Sequence, residues 1–310
     1  MWPRTSASEF RSAVGSGLAC VVLSSLAGCS ALANDSDSQG VDVIGAFYPY
    51  AYVAERVAGD YATVSNLTPP GVEPHDLELT PQQVVDLADA DLVIYEAGFQ
   101  PSIDTAVEQN PPGEALDVTD VVALRDTGAP GETGADSAGD PHLWLDPTLL
   151  IPIARRVAGV LSDTDPTHAD SYAANAQRLV ADLKHLDAEF RTGLSQCERT
   201  EIVTSHAAFG YLTSRYGLTM IPIAGLSPDV EPSPQRLAQV QSLIGSDGIT
   251  TVFSETLGTK AYADTLASDL DVTAAVLDPI EGLADDSSGE DYLSLMRANL
   301  AALRDANGCP

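Results

Sequence analysis

Four short apolar runs alternate with helical patterns on each side of one long amphipathic stretch, and no other feature limits the fold of this chain so strongly. The first series predicts strands near 41–47, 62–67, 91–96 and 115–118, with helices near 50–59, 81–90 and 101–109. The second predicts strands near 201–205, 219–224, 249–254 and 272–277, with helices near 208–216, 234–245, 258–269 and 290–306. Strands separated by helices pair in parallel, because each helix carries the chain back to the same end of the sheet. Between the two series, Asp165-Pro166 opens a pattern in which Tyr172, Ala176, Leu179, Leu183, Leu186 and Phe190 recur at helical spacing up to about Gly193. A helix of that length runs roughly 40 Å, enough to cross a whole molecule. The expected fold class is therefore α/β, with two lobes, each a four-stranded mainly parallel sheet flanked by helices, joined by one long rigid helix. Residues 41–164 would form the N-terminal lobe, 165–194 the linking helix and 195–310 the C-terminal lobe.

Helix starts are marked by a capping residue followed by proline at Thr80-Pro81, Asp146-Pro147 and Ser233-Pro234. Asp146 should begin a helix reaching about Ser162, which Pro152 is expected to bend or restart. Residues 127–139, rich in Gly, Ala and Asp, read as a surface loop. His168 and His185 fall within the long helix and read as surface or packing residues.

Residues 1–28 read as a lipoprotein signal peptide, with Arg4 and Arg11 ahead of a small and apolar stretch ending at Gly28. Leu26-Ala27-Gly28-Cys29 resembles a bacterial lipobox, which would place lipid on Cys29; the alternative is an ordinary cleaved signal with an incidental cysteine. Residues 29–40 are small and polar, as a flexible tether would be. With Cys29 and the signal segment set aside, Cys197 and Cys309 remain, and outside the cytosol they pair as a disulfide or stay as two buried thiols. The 45 acidic against 15 basic residues give a formal charge of −30, which repels nucleic acid and keeps the surface solvated.

Ligands of open parallel sheets bind beyond the carboxyl ends of the strands, and four metal-ligand candidates fall at such places. His75 follows the second strand, His142 follows the fourth by way of the loop, His206 ends the fifth, and Asp278 ends the eighth. Two come from each lobe, so the site would lie in the cleft between them. Three neutral imidazoles and one carboxylate suit zinc, whereas manganese or magnesium prefers more oxygen. The fourth position stays open between Asp278, Glu255, Glu73 and water.

In order, Phe47-Tyr48-Pro49, Pro74-His75-Asp76, the run from Asp140 to Pro147 (Asp-Pro-His-Leu-Trp-Leu-Asp-Pro), the run from His206 to Tyr211 (His-Ala-Ala-Phe-Gly-Tyr), Glu231-Pro232-Ser233-Pro234 and Leu277-Asp278-Pro279 resemble the metal-binding solute receptors of ABC importers, ZnuA/TroA-like and of the zinc type in particular. The resemblance covers about residues 41–306. It implies metal binding by His75, His142, His206 and Asp278, with Zn2+ as the transported ligand and Mn2+ or Fe2+ as alternatives. It also implies delivery to a membrane permease driven by an ATPase, by a monomer anchored through Cys29 to the outer face of the cell membrane. Histidine at position 206 looks like the zinc type, where glutamate looks like manganese receptors. The loop at 127–139 departs from many zinc receptors in holding no histidine.

Two other classes compete. An exported zinc hydrolase would use Glu255 or Glu231 as general base, but four protein ligands close the open position such catalysis needs, and no His-Glu-x-x-His is present. A metal-stabilised adhesin would hold its ion without exchange. For the receptor, affinity is expected to fall as imidazoles protonate below about pH 6, and the spanning helix should confine the lobes to a small tilt.

Overall fold

The computed structural model describes residues 40–125, 139–228, 230–258, 260–284 and 289–310. The expected signal peptide, Cys29, the expected tether up to residue 39 and the expected loop up to residue 138 lie outside the described residues. The chain runs β1 (Val41–Gly45), α1 (Tyr48–Ala58), β2 (Ala62–Asn66), α2 (Pro81–Asp89), β3 (Leu92–Tyr95), α3 (Pro101–Gln109) and β4 (Glu114–Asp117). It continues through α4 (Leu150–Thr164) and α5 (Ala169–Gly193). The second series is β5 (Glu201–Thr204), α6 (Gly210–Tyr216), β6 (Thr219–Pro222), α7 (Pro234–Ser246), β7 (Thr251–Ser254), α8 (Ala261–Leu270), β8 (Thr273–Val276) and α9 (Tyr292–Asn307).

Two four-stranded sheets result, in the orders β2-β1-β3-β4 and β6-β5-β7-β8, and every pair is parallel. The two sheets thus repeat one topology, with strand order reversing between β1 and β3 and between β5 and β7. The strands stop earlier than the apolar runs that announce them, because buried residues such as Ala46 and Phe47 leave the ladder to turn over the end of the sheet. That turn is tight: a Cβ on Gly45 would lie 2.3 Å from the backbone nitrogen of Ala51, so only glycine lets α1 fold back here.

Helix α4 starts at Leu150, and Pro152 sits in its first turn rather than at a bend. At that depth a backbone N–H would have no partner within the helix, so the proline disrupts nothing. Asp146 instead ties the preceding turn, its carboxylate accepting from the Thr148 backbone N–H at 2.9 Å. The Asp165-Pro166 signal first forms a short 3-10 turn, Pro166–His168, and the 25-residue α5 follows. His168 stacks on Tyr61 with ring centroids 4.4 Å apart, and His185 pairs on the surface with Glu189.

Helix α5 touches both lobes. Its first half packs on α1 and α4, where Asn175 Nδ2 donates to the Val57 carbonyl at 2.9 Å. Its second half meets α6 and α9 through Arg215–Asp187 at 2.7 Å and Arg297–Glu189 at 2.9 Å. One buried apolar cluster extends from β1 through α4 and α5 to Phe253, Leu277 and α9, so the lobes share a core rather than meeting at a bare hinge. Trp144 crosses the cleft within it, donating from Nε1 to the Pro279 carbonyl at 2.7 Å. A disulfide joins Cys197 to Cys309. Among the described residues no helix is long and apolar enough to cross a membrane.

Candidate metal centre

Each imidazole is held by the turn that carries it. His75 lies in the 3-10 turn Pro74–Asp76, backed by Gln100, whose Nε2 donates to the Pro74 carbonyl at 3.2 Å, and its ring meets Phe99 edge-on at 4.6 Å. His142 precedes the turn Leu143–Leu145, whose three side chains are fully buried, so the histidine follows them inward. His206 comes two residues after β5, beside the point where the order of the second sheet reverses. Its carbonyl accepts from Thr204 Oγ1 at 2.8 Å.

The three rings converge on Glu281. From Oε1 of Glu281, Nε2 of His142, His206 and His75 lie at 3.2, 3.3 and 3.6 Å, and the Nε2 atoms of His142 and His206 are 3.4 Å apart. One donor atom from each of the four residues falls within 4.8 Å of all the others. A tetrahedron of ligands about 2.0–2.1 Å from zinc has edges of about 3.3 Å, and the four separations of 3.2–3.6 Å lie close to that value. His142 and His206 are fully buried, Glu281 is 2% exposed, and His75 borders the open side. His75 Nε2 and Glu281 Oε1 are buried without a hydrogen-bond partner of good geometry. Such atoms are expensive to leave unsatisfied, and a cation placed among the four donors would satisfy both.

Carboxylates outside the cluster orient the rings. Nδ1–H of His142 donates to Asp140 at 2.9 Å and Nδ1–H of His206 donates to Glu255 at 2.7 Å, which leaves each Nε2 lone pair facing inward. In the metal-free protein the same contacts favour imidazolium. Burial opposes the charge on His206, but the hydrogen bond to Glu255 and the adjacent carboxylate of Glu281 outweigh it and push its pKa up to about 10. His142 is raised in the same way by Asp140 and Glu281. Burial alone would push Glu281 upward, yet the three histidines hold it well below the usual carboxylate range. Glu73, beside it, is pushed up to about 9 by burial and by the charge of Glu281.

The structure brings His75, His142 and His206 together but does not bring Asp278 to them. Both carboxylate oxygens of Asp278 are engaged elsewhere, Oδ2 accepting from Thr256 Oγ1 at 2.7 Å and Oδ1 from the Ile280 N–H at 2.8 Å. Glu281, three residues further, occupies the fourth position and was not among the sequence candidates. Of those candidates, Glu255 faces the outer nitrogen of His206 and Glu73 contacts Glu281. Glu231 lies exposed at the surface. The role of Glu255 has a measurable consequence: Glu255→Gln, which can present an amide N–H to Nδ1 and reverse the tautomer, should weaken zinc binding by about 10–100-fold in chelator competition.

Comparison with known proteins agrees with this geometry. Residues 43–306 match the family model of the zinc-uptake complex component A, periplasmic, ZnuA. The chain is 32% identical over 305 residues to the high-affinity zinc uptake system protein ZnuA of Bacillus subtilis, covering 93% of this chain and 95% of that one. It is 34% identical over 292 residues to the zinc-binding lipoprotein AdcA of Streptococcus pneumoniae, covering 88% of this chain and 57% of that longer relative. Among solved structures, the Zn(II)-bound ZnuA-like domain of Streptococcus pneumoniae AdcA superimposes with a TM-score of 0.74 at 32% identity, covering 86% of this chain and 99% of that one. The laminin-binding protein Lbp of Streptococcus pyogenes gives a TM-score of 0.75 at 27% identity, with coverage of 86% and 99%.

Proposed function

We propose that this chain, which belongs to the ZnuA family of periplasmic zinc-uptake components, is the receptor of an ABC importer that captures Zn2+ in its cleft and hands it to a membrane permease driven by an ATPase. The observation that carries the reading is the convergence of three imidazoles and one carboxylate in a cleft, with one donor atom of each within 4.8 Å of all the others. His75, His142, His206 and Glu281 are the ligands in this reading, and Asp278 is not. A nitrogen-rich, four-coordinate set favours zinc over manganese, which takes more oxygen donors. The chain is a binding protein rather than an enzyme: four protein donors leave no open position for a reacting water. The lipid anchor on Cys29 would keep the receptor near its permease. The shared core and the contacts of α5 with both lobes support release by a small tilt or a loop movement instead of wide closure.

Competitive titration of the metal-stripped protein tests this. One-to-one zinc binding, stronger than manganese binding by about a hundredfold or more and reversible with chelator, is the expected result. Preferential manganese binding would reassign the cargo. Metal that does not exchange would instead mark a structural ion, as in a metal-stabilised adhesin.

A further inference from the structure

Ile280 is a β-branched, fully buried residue with φ of 56°, in the left-handed region that such side chains avoid. Conformations of this kind persist only where the surroundings enforce them. Here the enforcing contacts are visible. The Ile280 N–H donates to Asp278 Oδ1 at 2.8 Å, while the other oxygen of Asp278 is held by the Thr256 hydroxyl at 2.7 Å. Asn299 grips the backbone of Asp278 on both sides, accepting from its N–H at 2.8 Å and donating to its carbonyl at 2.6 Å. Pro279 is held by Trp144, and the far end of the segment is tied where Gly71 N–H donates to the Leu283 carbonyl at 2.8 Å. Glu281 is the next residue along. A change of φ at Ile280 rotates everything that follows, so relaxation to a negative value would swing the Glu281 carboxylate away from the three rings.

We infer that Asp278 is a positioning residue: it locks Ile280 in the left-handed conformation, and the locked turn holds Glu281 among the imidazoles and so sets how fast bound metal leaves. The inference rests on the receptor reading above. It gives Asp278 and the Ile280 backbone a part in retention and release without making either a ligand. The turn joins the ligand to the wall of the cleft through Trp144, so a shift of one lobe against the other acts on the ligand directly.

The test uses the zinc-loaded protein mixed with excess chelator, which reads the dissociation rate, and the Co2+-loaded protein, whose visible absorption reads the ligand set. Asp278→Ala should keep one-to-one binding and a four-coordinate cobalt spectrum while zinc dissociates about tenfold faster or more. Asp278→Asn retains an oxygen for the Ile280 N–H and should stay within about threefold of wild type. Ile280→Gly accepts positive φ without strain, so alone it should also stay within about threefold, and combined with Asp278→Ala it should recover part of the loss. A cobalt spectrum altered equally in both Asp278 variants would overturn the inference by making Asp278 a ligand. An unchanged rate in Asp278→Ala would overturn it by making the turn irrelevant, and a large acceleration in Ile280→Gly would do so by assigning the hold to the buried side chain. If the wild type bound no metal, the receptor reading would fail separately. Faster amide exchange at Glu281 in metal-free Asp278→Ala would then still report on the turn, and unchanged exchange would refute it.

Discussion

Zinc binding to the metal-free protein is expected to expel at least about one proton near pH 7.5, so that affinity climbs about tenfold or more for each pH unit in that range. The reason lies in how the empty site neutralises itself. Only the unprotonated Nε2 can hold a metal, and His206 titrates at about 10 because Glu255 and Glu281 more than offset the effect of burial. His142 is raised for the same kind of reason by Asp140 and Glu281. His206 therefore carries a proton at neutral pH that the metal must displace, and the raised His142 adds to the protons released. Glu73 adds part of a further one: a cation that neutralises Glu281 removes one cause of its raised pKa of about 9. An unperturbed imidazole would place the loss of affinity below about pH 6, and the structure moves its onset well above that. The stability of the metal-free fold runs the opposite way with pH. A raised histidine pKa contributes fully below about 6.5, the unfolded value, and the contribution is lost as pH rises through about 10. Calorimetry in buffers of different ionisation enthalpy counts the protons, and chelator competition across pH gives the slope. An affinity independent of pH between about 6.5 and 8.5 would mean that the imidazoles are neutral before metal arrives.

The alternation of strand and helix was legible because periods of two and of 3.6 residues leave distinct apolar patterns. Eight strands in two series, and the long helix between them, were readable on that basis alone. What the pattern could not give is where a strand leaves its ladder, since Ala46 and Phe47 are as buried as the residues that pair. Pro152 was misread for a related reason: the effect of a proline depends on its depth in the helix, and capping at Asp146 admits a start several residues later. The three histidines were legible because each stands where a parallel sheet presents its ligands. Glu281 was not. Choosing it over Asp278 requires knowing that Ile280 adopts positive φ, and an isoleucine gives no hint of that, whereas a glycine or asparagine there would have. The partition of roles between Glu255 and Glu281 has the same origin. It depends on which ring nitrogen each carboxylate faces, and that is set by the approach of β7 and of the turn after β8 to a ring carried by β5.

Replacing His206 by alanine should weaken zinc binding on the order of a thousandfold and lower the stability of the metal-free protein as well. The first effect follows from removing one of four donors at a site of this kind, where total binding free energies of about 10–16 kcal/mol are shared among the ligands. The second is less obvious. His206 is the cationic partner of two carboxylates, Glu255 at 2.7 Å and Glu281 at 3.3 Å, and the ring itself is fully buried. Breaking a buried pair from one side leaves a charge without compensation, at a cost of about 3–5 kcal/mol. His142 and His75 still face Glu281 and keep the loss toward the lower end of that range. His185→Ala is the matched control: its pair with Glu189 is at the surface and contributes less than about 1 kcal/mol. Chelator competition and thermal unfolding of both variants, each metal-free and zinc-loaded, give the two numbers. Zinc affinity within about tenfold of wild type in His206→Ala would remove the residue from the ligand set. The stability deficit also has a required pH dependence. Glu281 has its pKa depressed by the three histidines, so its contribution is present above about 4.5, the unfolded value, and is lost as pH falls through its folded value. Without His206 the folded pKa of Glu281 rises, the carboxyl takes up its proton earlier, and an uncharged acid no longer needs the missing cation. The deficit should accordingly be largest near neutrality and shrink toward about pH 4; a deficit that stayed constant across that range would trace to the cavity left by the ring instead of to the orphaned charge.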